Sequence, residues 1–126
     1  MAKAPGAKER QRLAELEAYG RRLQHAHGLV ERFATDNANP DQWIGPLRRV
    51  FTQLKGEFAL AGLDSMSQAC SALDLVARRG GGRILKIRVL REGVASLRSH
   101  LETQERLARA SASRTERDEK ADTEAG

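Results

Sequence analysis

The chain is predicted to be all-α, an antiparallel four-helix bundle running up-down-up-down. Three observations predict it. The composition is rich in Ala, Leu, Arg and Glu, with 31% charged residues, 4% aromatic residues and three prolines, a profile that favours helices over a sandwich or barrel. Apolar residues recur at three- and four-residue spacing in four separate stretches. The connections between the stretches are mostly short, which places successive helices side by side and antiparallel. A length of 126 residues suits one domain, expected over residues 8–109. With one Trp, one Tyr and three Phe, its core is expected to be aliphatic.

The first helix is expected from about Lys8 to Ala34. Leu13, Leu16, Leu23, Val30 and Phe33 form one stripe, with Gly20 and His27 in the same phase. "TDNANPDQ" (residues 35–42) breaks it, because Asn and Asp compete for the backbone and Pro40 cannot continue a helix. Asn39 or Asp36 is suited to the turn, and Pro40 to the first position of the next helix. That second helix carries Trp43, Leu47, Val50, Leu54, Phe58 and Ala61 at helical spacing, with Pro46 in its first turns. Gly62 is a C-cap candidate, and Asp64 or Ser65 an N-cap for the third helix. The third helix is expected to bury Met66, Ala69, Cys70, Leu73 and Val76, and to end in Arg78, Arg79 and Gly80. "GGG" (residues 80–82) is the clearest turn, after which Ile84, Ile87, Leu90, Val94, Leu97 and Leu101 mark a fourth helix to about Ala108. Residues 110–126 hold almost no apolar side chain and are expected to be a disordered polar tail. The first several residues are expected to be loose as well.

Little in the composition points to catalysis. The single Cys70 excludes an intramolecular disulfide and a multi-cysteine metal site, and a buried small hydrophobe is its expected role. His25 and His27 stand two apart on a helix and point away from each other, so they cannot chelate one metal. His100 falls between apolar positions and is expected to be solvated. No metal and no cofactor are therefore expected, and the chain is not expected to be an enzyme. No segment is apolar enough to span a membrane, and "MAKAPGAKER" lacks the apolar region of a signal peptide, so a cytoplasmic protein with no membrane partner is expected. A net charge of +5 suits nucleic acid, an acidic protein surface or simple solubility. The cations are interleaved with acids and aromatics are few, so nucleic acid is the weaker reading. "RRGGGR" (residues 78–83) lacks the Lys-Ser/Thr end of a phosphate-binding loop and the strand before it, and reads as an inter-helix turn.

The second helix is different. Gly56 lies in its middle, where glycine costs about 1 kcal/mol relative to alanine. Thr52, Lys55, Gly56 and Ala59 follow one another at i, i+3, i+4 and i+7 and make one surface stripe of small side chains around a cation. Two readings fit: Gly56 packs against a neighbouring helix, or it forms a shallow depression for another protein.

"LRRVFTQLKGEFALAGLDSMSQACSALD" (residues 47–74) resembles the central motif of histidine-containing phosphotransfer (HPt) domains of bacterial phosphorelays. Leu54, Lys55 and Gly56 match the family's Leu-Lys-Gly, and Gly62 its later glycine. Met66, Ala69, Cys70, Leu73 and Asp74 follow its third-helix pattern without a gap. The resemblance implies an HPt-like bundle, and it places Thr52 where the family has its phosphoryl-accepting histidine. A threonine hydroxyl without a base is a poor nucleophile, and its phosphate ester is too stable to relay. The implied role is a non-catalytic, pseudo-phosphotransfer adaptor that binds a response-regulator receiver domain or a histidine kinase. Its binding face would comprise Arg48, Arg49, Thr52, Lys55, Gly56 and Ala59, cationic toward an acidic receiver site. Phosphotransfer through His27 or His100, and a helical partner- or nucleic-acid-binding protein, are the alternatives.

Overall fold

The structure, a computed structural model, describes the backbone of residues 6–125 and side chains as far as residue 114. The expectation of a loose N-terminus concerns residues 1–5 and lies outside the described residues. Four helices follow in order: α1 (Gly6–Thr35), α2 (Ile44–Leu60), α3 (Asp64–Arg78) and α4 (Arg83–Ala125), with a 3-10 turn at Pro40–Trp43 before α2. Each helix packs on the next and α4 closes the ring on α1. Cross-helix partners run in opposite directions throughout. Glu31 meets Arg91 while Glu17 meets Arg109, and Lys55 meets Ser67 while Arg48 meets Asp74. The chain is an antiparallel, up-down-up-down four-helix bundle.

The periodicity of the sequence becomes one core. Leu16, Leu23, Val30 and Phe33 from α1 meet Leu47, Phe51, Leu54 and Phe58 from α2, Cys70 and Leu73 from α3, and Leu90, Val94, Leu97 and Leu101 from α4. Several details differ from the sequence reading: Ile84 of α4 is exposed, Ala69 and Val76 of α3 are only partly buried, and Ala77 is buried instead. The innermost α2 positions are 47, 51, 54 and 58, so Phe51 takes the central place and Val50 lies on the flank. All three phenylalanines are buried, and Phe58 packs edge-on against Tyr19 with ring centroids 5.2 Å apart. The core is therefore leucine built around phenylalanine rather than aliphatic alone.

The connections are held by specific polar groups. The Asp36 carboxylate accepts hydrogen bonds from the Ala38 and Asn39 amides, at 3.0 and 2.9 Å, and from the Gln42 and Trp43 side chains, at 2.6 and 2.9 Å. Of the two residues suited to this turn, Asp36 organises it and the Asn39 side chain makes no cap. Four donors favour the ionised form and hold the carboxyl at about 2, below its ordinary 3.8. Gly62 closes α2 with φ +77, its amide donating to Ala59 O and that of Leu63 to Phe58 O, a Schellman ending. Neither Asp64 nor Ser65 caps α3: the N-cap is Leu63, and Asp64 sits inside the first turn, where its charge suits the helix dipole.

The C-terminal carbonyls of three helices are each closed by a cation from another helix. One Arg83 amino nitrogen donates to the carbonyls of Phe33, Ala34 and Asp36 at 2.8–3.0 Å, closing α1. Arg12 donates to Ala61 O at the end of α2, and Lys86 to Ala77 O in the last turn of α3. Each places positive charge at the negative end of a dipole. α4 also runs on over residues 110–125, for which the sequence reading expects a disordered tail. No glycine or proline interrupts that stretch, and its Ala, Arg, Glu and Lys are sound helix formers.

The most crowded glycine among the described residues is Gly93 in α4. A Cβ built there would collide with the Leu73 side chain of α3, with Leu73 Cγ at 3.0 Å. Gly93→Ala is expected to lower the unfolding free energy by about 1–2 kcal/mol through overpacking, read by urea denaturation. Acid is expected to act on Asp36. Its folded carboxyl is depressed, so its contribution is present above pH 3.8 and is lost as pH falls toward about 2. The drop in melting temperature across that window should be smaller in Asp36→Asn than in the parent protein.

Candidate functional site

The outer face of α2 is positioned by what lies beneath and beside it. Leu47, Phe51, Leu54 and Phe58 anchor the helix inward, and this phase turns Arg48, Arg49, Thr52, Lys55, Gly56 and Ala59 outward, where all six are exposed. α3 fixes its lateral register. Buried Ser67 donates its hydroxyl to the Lys55 carbonyl at 2.9 Å, one residue from Gly56. Asp74 accepts from Arg48 at 3.1 Å and pairs with Arg78 at 3.5 Å. On the other flank Glu57 pairs with Arg22 of α1 at 2.7 Å.

Gly56 does not pack against a neighbouring helix. A Cβ at that position would meet no atom within 4 Å, so the first of the two readings of this glycine is corrected. The close packing that the sequence reading assigned there belongs to Gly93, whose phase between Leu90 and Leu97 was legible but which was not singled out. The surface at Gly56 is open and makes no internal demand for a small residue. Lys55 forms no ion pair, and the Thr52 hydroxyl no hydrogen bond.

Thr52 therefore has no general base. No carboxylate or imidazole reaches its hydroxyl, and such a partner is what would make it a nucleophile. The histidines are elsewhere: His25 is exposed and His27 half-buried on α1, and His100 is exposed on the outer face of α4. Cys70 is fully buried, and desolvation pushes its thiol up to about 12, which leaves it protonated and unreactive. Among the described residues, no group of three His, Cys, Asp or Glu side chains could hold a metal ion, and no helix is long and apolar enough to cross a membrane. The face can bind by shape and charge.

Sequence reasoning did not foresee the contribution of α3. Asp74 was noted only as part of a motif, although its spacing to Arg78 signals an i,i+4 pair. Its bond to Arg48 crosses helices, and no local pattern announces it. Compared with family models, curated proteins and solved structures, the chain matches none.

Since nothing surrounds position 56, alanine there adds helix propensity without a clash. Gly56→Ala is expected to raise the unfolding free energy by about 1 kcal/mol, measured by urea or thermal denaturation. A fall in stability would mean that α2 needs the glycine for its own packing.

Proposed function

We propose that the protein is a non-catalytic, HPt-like adaptor of a phosphorelay, which docks a receiver domain or a histidine kinase on the outer face of α2. The observation that carries this reading is Gly56. A mid-helix glycine with open space around it is unfavourable to the free chain and is accounted for by an external surface that comes close to the backbone. Arg48, Arg49 and Lys55 flank it with positive charge, matching an acidic receiver site and favouring fast encounter. The resemblance of residues 47–74 to the HPt motif supplies the class of partner. Thr52, at the histidine position and without a base, supplies the non-catalytic half.

Binding and chemistry are tested separately. Purified protein is mixed with receiver domains and kinases of its own cell, and Gly56→Arg is compared with Gly56→Ala. The arginine variant is expected to fold, because the position is open, and to lose binding by at least about tenfold through obstruction of the face. Undiminished binding by Gly56→Arg overturns the docking site. When a receiver carries labelled aspartyl phosphate, no label is expected on the adaptor. Label that disappears in Thr52→Ala overturns the non-catalytic assignment, and acid-labile label that disappears with His27 or His100 replaces it by active phosphotransfer.

A further inference from the structure

The turn between α3 and α4 gathers a second set of groups, which shares only Arg48 with the α2 face. A cleft of about 510 Å³ there is lined by Arg48, Arg78, Arg79, Lys86, Gly80 and Gly81, with Asp41 its one acidic wall residue. We propose that this cleft binds a compact polyanion of the diphosphate type, free or as the phosphate chain of a nucleotide.

The charge arrangement is built rather than scattered. Asp74 holds the guanidinium groups of Arg48 and Arg78 together from behind, at 3.1 and 3.5 Å, and is itself mostly shielded, with 21% of its side chain exposed. A shared carboxylate thus pre-orients two forks that suit phosphate oxygens, and lowers the entropy lost on binding. Arg79 has no ion-pair or hydrogen-bond partner for its side chain. Lys86 gives one donor to Ala77 O and retains two others. Four cations at the cleft thus face two carboxylates, Asp41 and Asp74, which leaves two positive charges in excess. Arg48 comes from α2 and is tied to Asp74 of α3, while Lys86 comes from α4 and is tied to Ala77 of α3, so the site is assembled only in the folded bundle.

The glycines give it room. Gly80 and Gly81 present bare backbone to the cleft, and Gly81 holds φ +128, a conformation that side-chain-bearing residues rarely adopt. The donors come from α2, from the end of α3 and from α4, and two linked phosphoryl groups offer more acceptor oxygens to them than one. "RRGGGR" therefore contributes to an anion site by a route unlike that of a P-loop, with arginines in place of strand, lysine and hydroxyl.

The test titrates the full chain with inorganic pyrophosphate at constant ionic strength, following backbone amide NMR signals, with inorganic phosphate and adenosine diphosphate as parallel arms. Saturable shifts concentrated at residues 79–86 are expected, with pyrophosphate tighter than phosphate. Adenosine diphosphate shows whether a nucleoside is tolerated: binding at or above the pyrophosphate level assigns a nucleotide, and weaker binding assigns the free anion. Arg79→Ala, at an exposed and unpaired side chain, is expected to weaken binding roughly tenfold, as loss of a charge-assisted contact does. Arg98→Ala removes the same charge from the exposed face of α4 and should change affinity less than about twofold. Shifts that stay linear up to about 10 mM pyrophosphate, or equal weakening by the two variants, overturn the site in favour of diffuse charge attraction.

Discussion

The bundle depends on the junction at which Arg83, the first residue of α4, closes the last turn of α1. Its guanidinium donates to three carbonyls that a helix end leaves without partners, and to the Asn37 side chain at 3.4 Å. It also lies over the Phe33 ring, so the charge is set against the core. Asp36 belongs to the same junction twice. Its carbonyl receives Arg83, while its carboxylate gathers the amides of Ala38 and Asn39 and the side chains of Gln42 and Trp43 on the way into α2. Three helices thus take their positions from two adjacent polar groups. The remaining register follows down the α1–α4 seam through Glu31 with Arg91 and Glu17 with Arg109.

This arrangement changes what the basic composition means. Arg12, Arg83 and Lys86 serve as caps on helices other than their own, and Arg22, Arg48 and Arg91 are engaged in cross-helix ion pairs. Part of the positive charge is thus used in joining helices. Unpaired cations on the α2 face and at the α3–α4 cleft therefore carry more information than the net charge. Lys55 and Arg79 stand where small residues expose the backbone beside them, and such places favour contact with something outside the chain.

The four helices were legible because burial imposes a period of 3.6 on any helix with one covered face, and glycine or proline marked each break. The order of residues around each helix was less legible. Val50 and Phe51 are both apolar neighbours, and only the angle at which α2 meets the core decides which is central. Arg83 was hidden for a different reason. Its partners are backbone carbonyls some fifty positions away in the chain, and a carbonyl has no residue identity for a pattern to detect. The exposure of Thr52, Lys55, Gly56 and Ala59 followed from helical phase, whereas the support of α2 by Ser67 and Asp74 depended on how α3 lies alongside. At the C-terminus the lack of apolar residues argues against burial and is silent on helix, which the backbone there adopts.

Gly56 and Gly93 show how one residue type answers two different constraints. At Gly93 the absence of a side chain is required from inside, since Leu73 occupies the space a methyl group would take. At Gly56 no internal contact requires it, and the helix is about 1 kcal/mol less stable than with alanine. The fold tolerates that deficit because α2 is held by its four buried large side chains and by the Ser67 hydroxyl on the adjacent carbonyl. Stability and display are consequently separable on this helix: the groups that hold it face inward or toward α3, and those available to a partner face outward. A substitution on the outer stripe can alter docking without disturbing the core, so a binding defect there reports on the surface rather than on folding.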